Sequence, residues 1–386
     1  MEKNVVIAGG GIFGITAAIA LRRRGFAVTV FDPGVLPHPL AESTDISKVI
    51  RMDYGPDEAY LALMEEAMEG WRRLNARWPR PLYHETGVTF LTREAMAPGS
   101  FEHESHRLLT ARGYRIERLD AAEIARRFPA WRGHTDGYFN PIGGFAESGN
   151  VVAQLAREAA AAGVVLREGA QVSGVHFVGS VAAGLIVDGQ VVKGDRVVVA
   201  AGAWTPTLLP ELAADLRAVG QPVFHLRPAD PALFAAEQFP VFGADISRTG
   251  YYGFPVTADG IVKIANHGVG RVVDPRGPRE VSAAQEEALR AFLRGTFPDL
   301  ADAPLAGTRL CVYGDSHDEH FWIARDPARE GLTVAAGGSG HGFKFAPVLG
   351  DLIADAALGV DRPVLSKFGY RPGLAAKGQE AARHHG

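Results

Sequence analysis

Short apolar runs closed by glycine set the rhythm of the chain, and they are clearest at its start. Asn4-Val-Val-Ile-Ala8 reads as a strand, a glycine turn follows, and Ile15 to Arg24 reads as a helix stopped by Gly25. Ala27-Val-Thr-Val-Phe31 is a second strand, closed by Asp32-Pro33-Gly34, so the chain opens on a βαβ unit. Asp57 to Trp78 places Leu61, Met64, Ala67, Met68 and Trp71 on one helical face. A strand is expected at Gly87 to Leu91, then a polar helical region to about Trp131, and a helix from Asn150 to Ala162. Val164 to Leu166, Gln171-Val172, Ala183 to Val187 and Arg196 to Ala200 read as β-rich. Residues 220 to 270 alternate and are broken by Gly and Pro, as in an antiparallel sheet. Ala283 to Phe297 is helical, Leu332 to Ala336 is a strand, and Ala346 to Leu358 is a closing helix. The polar, alanine-rich tail from Ala375 to Gly386 is expected to fray.

The first turn is a G-x-G-x-x-G formed by Gly9, Gly11 and Gly14. In this pattern the glycines give a tight turn, close approach of backbone to a pyrophosphate, and close helix–strand packing. The helix N-terminus presents free N–H groups and a positive dipole end to the phosphates. Asp32, at the end of the second strand, is placed for the ribose hydroxyls and argues against a 2′-phosphate. It does not separate NAD from FAD. A second glycine-dense turn, Gly337 to Gly342, lies between the last strand and the last helix. A long dinucleotide draws contacts from distant segments, so this return favours FAD.

Composition adds limits. The 386 residues are 47% hydrophobic and 22% charged, which suits one large or two medium domains. A net charge of −4, with a single run of three basic residues at Arg22 to Arg24, gives no footprint for nucleic acid. The uncharged stretch from Val5 to Leu21 contains four glycines and fits a strand, turn and helix better than a membrane span. One cysteine excludes an intramolecular disulfide and fits a reducing cytoplasm. His267, His320 and His341 have no metal-ligand spacing, so no metal is expected. No G-x-S-x-G supports an esterase.

Four local motifs, spread between Val5 and Leu358, resemble the D-amino acid oxidase superfamily of FAD enzymes. They look most like its monomeric sarcosine oxidase and N-methyltryptophan oxidase branch, with fructosyl amino acid oxidases as relatives. The motifs are Asp45-Ile-Ser-Lys-Val-Ile-Arg-Met-Asp-Tyr-Gly55; Tyr251-Tyr-Gly-Phe-Pro255 with Lys263 and His267; Arg309-Leu-Cys-Val-Tyr313; and Gly338-Ser-Gly-His-Gly-Phe-Lys344. The resemblance implies a Rossmann-like FAD domain (1–80, 145–218 and 305–386). It also implies a substrate domain on a mixed or antiparallel sheet (81–144 and 219–304). It implies that Arg51 and Lys344 bind a substrate carboxylate, that Lys263 promotes reaction with dioxygen, and that His267, Tyr252 and Tyr313 border the substrate. It implies sulfur attachment of the flavin at Cys311. Further cofactor contacts follow at Ile12, Phe13, Ser47, Lys48, Val172, Gly202, Gly338, Gly340, Gly342, Phe343 and Lys344. Lys48 departs from the arginine usual in sarcosine oxidases and matches the fructosyl branch, so the substrate branch stays open.

The residue chemistry is consistent with those roles. A guanidinium grips a carboxylate bidentately and an ammonium adds a point charge. A fixed cation beside the flavin stabilises negative charge developing on dioxygen. Taken alone, Lys263 reads as solvent-facing and Cys311 as a small buried hydrophobe. The expected activity is oxidation of the C–N bond of a small secondary amine or amino acid with a free carboxylate, giving an imine and hydrogen peroxide. The expected protein is a monomer. His267 is a candidate base because its reference pKa is near neutral. Three alternatives remain: a dehydrogenase with another electron acceptor, a tailoring oxidase of a cyclic imino acid, and a non-catalytic flavin subunit.

Overall fold

The computed structural model describes residues 3–374 and 378–386. Asn4–Ala8 and Ala27–Asp32 are paired parallel strands joined by the helix Ile12–Arg23. The helix begins three residues earlier than expected, because Gly11 caps it in an extended conformation and Ile12 and Phe13 complete the first turn. It ends where Gly25 adopts φ +85°, a left-handed geometry open to glycine.

This unit seeds a six-stranded sheet ordered Trp322–Arg325, Leu332–Ala336, Arg196–Val199, Asn4–Ala8, Ala27–Asp32, Val165–Glu168. All neighbours are parallel except the first pair. Burial on both faces explains why the central strands Asn4–Ala8, Arg196–Val199 and Leu332–Ala336 read as apolar runs. Helix Ile12–Arg23 packs closely on the last helix, Ala346–Leu358. A Cβ on Gly350 would stand 2.3 Å from the Thr16 carbonyl oxygen, so glycine is needed at this crossing.

A nine-stranded sheet forms the second layer. Its long strand Leu216–Leu226 pairs antiparallel with Leu305–Ser316 and with Val262–Asn266, so the region from 220 to 270 is largely antiparallel as expected. One pair departs: Val241–Ala244 runs parallel to Val88–Thr92, which makes the sheet mixed. The polar region before Trp131 is not continuously helical. Helices Phe101–Ala111 and Ala121–Arg127 flank the strand Glu117–Asp120, whose pairing with Asp136–Asn140 overrides its weak strand propensity.

The expectation for the tail fails. Residues 375–377 lie outside the described residues, but beyond them Glu380, Ala382 and Arg383 are buried. Alanine-rich polar composition does not reveal the long-range ion pairs of Glu380 and Arg383, and those pairs hold the segment. Among the described residues, no helix is long and apolar enough to cross a membrane.

Candidate active site

Two adjoining cavities lie where the sheets meet. The larger, about 340 Å³, runs along the first glycine turn and is lined by Gly9, Gly11, Ile12 and Phe13. Asp32, Lys48, Val172 and Gly202 line it further along, and Gly338, Gly340, Gly342 and Phe343 close it from the C-terminal turn. The sequence placed all twelve of these residues at a cofactor. Gly14, Ser47, Cys311 and Lys344 do not line this cavity.

The glycines do what the spacing implied. Gly9 has φ +101°, and a Cβ on Gly14 would stand 1.9 Å from the Gly9 carbonyl oxygen. Gly14 therefore serves the helix–strand contact. Gly11 is different: a Cβ there would meet only the Ser43 hydroxyl, at 3.3 Å, so its smallness serves the open cradle. Asp32 accepts from the Gly10 and Gly34 amides, at 2.8 and 3.0 Å, and so ties the turn to the second strand. The C-terminal turn meets the first one at Phe13, whose ring would lie 2.8 Å from a Cβ on Gly342. Gly340, at φ +76°, passes so close to the Tyr313 ring that a Cβ would lie 2.2 Å from it. Ser47 Oγ is buried without a hydrogen-bond partner among the described residues. An elongated cradle built on two glycine turns, with an acid at the second strand, fits FAD.

Lys48 lines both cavities. Its Nζ lies 3.8 Å from Cys311 Sγ. Burial opposes the Lys48 charge, but Cys311, Asp45, Tyr252 and Glu42 outweigh it and raise its pKa. Cys311 is free and buried on Leu305–Ser316, packed with Val223, Ala265, Tyr313 and Tyr252. It lines neither cavity, and Lys48 and Tyr252 stand between it and them.

The smaller cavity, about 50 Å³, holds the expected substrate groups. Lys48, Arg51, His267, His341 and Lys344 line one side, with Tyr252 beside them. Val88, Phe90, Val241, Phe242 and Ile246 form an apolar wall. Arg51 lies at the end of strand Lys48–Arg51, whose register against Gly143–Ala146 fixes its direction. The nearby Asp53 is not its hydrogen-bond partner: Asp53 accepts from Tyr138 and Asn140 instead. Lys344 donates to the His341 carbonyl oxygen at 2.9 Å. Burial and the adjacent Arg51 hold its pKa well below the usual lysine value.

Lys263 is 1% exposed, which settles the choice between solvent and interior. Its Nζ donates to the Ser47 carbonyl oxygen and pairs with Asp45 at 2.6 Å. Burial pushes its pKa down to about 8 despite Asp45. His225 Nε2 lies 3.4 Å from the other Asp45 oxygen. Tyr252 and Tyr313 interact through their phenols, and burial raises both pKa values. Lys263 and Tyr313 line neither cavity; they lie just behind the walls, against Asp45 and Cys311 respectively.

Several site residues escaped the sequence reading. Glu42 lines the larger cavity, accepts from the Gly314 amide at 3.2 Å, and has a pKa raised by burial. Asp45, at the start of the first motif, is the counter-ion of Lys263. Glu380 is the largest omission. Its carboxylate sits on Arg51 at 2.9 Å and on His267 Nε2 at 3.0 Å. Burial lowers the pKa of His267, so the imidazole is neutral near pH 7 and donates to Glu380, whose charge Arg51 balances. No local signal marks Glu380, because its partners are 329 and 113 positions away. Among the described residues, no group of three His, Cys, Asp or Glu is arranged to hold a metal ion.

Known proteins are similar to this chain in sequence and fold. A family model described as FAD dependent oxidoreductase, abbreviated DAO, matches residues 4–356. The chain is 31% identical over 368 residues to an N-methyl-L-tryptophan oxidase of Salmonella dublin, covering 93% of this chain and 95% of the relative. Its structure is similar to that of the deglycating enzyme fructosamine oxidase from Aspergillus fumigatus (Amadoriase II). The TM-score is 0.85 at 26% identity, over 100% of this chain and 94% of that one. NikD, an amino acid oxidase of nikkomycin biosynthesis, shares the fold with a TM-score of 0.80 at 24% identity, over 97% and 99% of the chains.

Proposed function

Because the chain belongs to the DAO family of FAD-dependent oxidoreductases, we propose that it oxidises the C–N bond of a small secondary amine or amino acid bearing a carboxylate. The observation that carries the reading is the smaller cavity, with Arg51 and Lys344 on one side and an apolar wall on the other. This division suits a substrate with a carboxylate at one end and an apolar substituent at the other. The relatives named for N-methyl-L-tryptophan and fructosamine support an N-substituted amine.

Arg51 and Lys344 orient the substrate by its carboxylate, which holds the reacting carbon in place. The phenol of Tyr252 borders it, and Tyr313 backs that phenol from behind the wall. His267 is neutral near pH 7 because burial lowers its pKa, so its imidazole can accept a proton from the substrate nitrogen. The apolar wall excludes water from the reacting bond. With the cofactor held along the larger cavity, the chemistry supplied there would be two-electron oxidation of the C–N bond, with dioxygen as the final acceptor and hydrogen peroxide as its product. Lys263, pinned by Asp45, supplies the positive charge for the dioxygen step, and this favours dioxygen over another acceptor.

In this reading residues 1–80, 145–218 and 305–386 bind the cofactor and 81–144 and 219–304 the substrate. Glycines 9, 11, 202, 338, 340 and 342, with Asp32, Lys48 and Val172, hold FAD, and Gly14 and Ser47 serve from behind the cavity wall. Cys311, beside Lys48, is the point of covalent attachment. A single buried cysteine suits a cytoplasmic protein, and we read the chain as a monomer.

The test is turnover under air of N-methyl amino acids, cyclic imino acids, primary amino acids and fructosyl amino acids, with peroxide measured. Peroxide formation with a carboxylate-bearing secondary amine supports the proposal. Rapid dye reduction without peroxide would favour the alternative acceptor instead.

A further inference from the structure

The substrate cavity is about 50 Å³, little more than the share of one or two waters and far below the ~300 Å³ at which ligand pockets begin. The C-terminal segment occupies the neighbouring space, against residues that line the cavity. Glu380 places its carboxylate between Arg51 and His267, at 2.9 and 3.0 Å. Two residues on, Ala382 is buried in one cluster with Val88, Phe90, Val241 and Ile246, which are the apolar wall of the cavity. The segment thus presents a carboxylate to the cations and a small apolar group to the wall. Those are the two features proposed above for the substrate.

A latch holds this arrangement. Arg383 is buried between Asp315, at 2.7 Å, and Glu319, at 3.1 Å. The Glu380 amide donates to Glu319, and the His384 amide donates to the His267 carbonyl oxygen. The cation side keeps a free donor: Arg51 Nη1 is buried with no hydrogen-bond partner among the described residues.

We propose that Glu380 is an internal stand-in for the substrate carboxylate, and that the segment from Gln379 to Gly386 must leave the pocket before a substrate binds. The proposal rests on the carboxylate-binding role of Arg51 and Lys344. One site cannot hold two carboxylates on one guanidinium edge without repulsion. Closure of the segment and binding of substrate are therefore mutually exclusive, and the apparent affinity of any carboxylate is reduced by the fraction of molecules that are closed. This makes Glu380 a specificity-determining residue. A substrate must bring a carboxylate strong enough to displace it, and a plain amine has nothing to offer Arg51 in exchange.

The experiment uses the full-chain holoenzyme and acetate, a carboxylate with no oxidisable amine. Binding is read from the flavin absorbance, and hydrogen exchange is followed for the amides of 379–386. The proposal expects acetate to raise exchange in this segment. It expects Glu380→Gln, which keeps shape and loses charge, to bind acetate roughly tenfold tighter or more, from the strength of a charge-assisted hydrogen bond. Arg383→Ala, which opens the latch and leaves the pocket residues in place, is expected to tighten acetate binding as well. Acetate binding that depends on Arg51, with the segment still protected and Glu380→Gln no tighter than wild type, overturns the proposal and leaves the carboxylate site intact. Failure of acetate to bind wild type and both variants overturns the carboxylate site and this proposal together.

Discussion

Replacing Lys263 by Met separates the dioxygen step from substrate oxidation. Lys263 is fully buried and pairs with Asp45 at 2.6 Å, so the change removes one partner of a buried ion pair. Such truncations cost about 3–5 kcal/mol because the remaining charge is stranded. Here His225 stays 3.4 Å from Asp45 and Lys48 lies close by, which puts the cost near the lower end, about 3 kcal/mol. Adding Asp45→Asn removes the stranded charge, and the double variant is expected to regain most of that stability. The chemistry does not return with it. Loss of a fixed positive charge where negative charge develops is expected to slow the reaction of reduced flavin with dioxygen about 100- to 1000-fold. Stopped-flow absorbance measures the two halves separately: anaerobic reduction by substrate, then reoxidation on mixing with dioxygen. The reasoning predicts slow reoxidation in both the single and the double variant, with reduction little changed. Recovery of reoxidation in the double variant, or a defect confined to reduction, would refute it.

Three further outcomes are expected. Arg51→Gln raises KM for carboxylate-bearing amines by about 10- to 100-fold, the value of one charge-assisted hydrogen bond, in steady-state peroxide assays. Acid precipitation leaves the yellow colour with the wild-type protein and releases it from Cys311→Ser; colour in the wild-type supernatant would remove the covalent bond from the account while sparing the substrate site. The pKa of Lys263 is depressed from 10.5 to about 8, so its charge is complete only well below pH 8 and is lost as pH rises through that value. The reoxidation rate is expected to be flat on the acid side and to fall above about pH 8. The unfolded chain holds this proton more tightly between about 8 and 10.5, so Lys263 makes stability rise with pH in that window.

Local chemistry made much of the fold legible. The opening βαβ unit and the turn from Gly337 to Gly342 announce themselves because turns demand particular residues and parallel strands demand apolar runs. The order of strands in the larger sheet was not legible, since pairing of Val241–Ala244 with Val88–Thr92 joins segments about 150 positions apart. At the candidate site the sequence placed Lys263 on a strand of alternating character, and alternation alone favoured solvent. Its burial depends on Asp45, far away in the chain. Glu380 shows the limit most plainly. It lies in a polar, alanine-rich tail that offers neither period nor turn signal, and only the fold brings it to Arg51. Sequence reasoning found both glycine turns and the cations, but missed the anions that neutralise those cations. Opposite charges attract across the fold without leaving a spacing rule in the chain.

The central claim is that a cationic pocket selects amines by their carboxylate for oxidation at the flavin. Its most direct test is anaerobic mixing of the holoenzyme with an N-methyl amino acid and, separately, with the methyl ester of the same compound. The account predicts saturable bleaching of the flavin by the acid and weak, non-saturating bleaching by the ester. Equal bleaching by both, or none by any secondary amine, would contradict it.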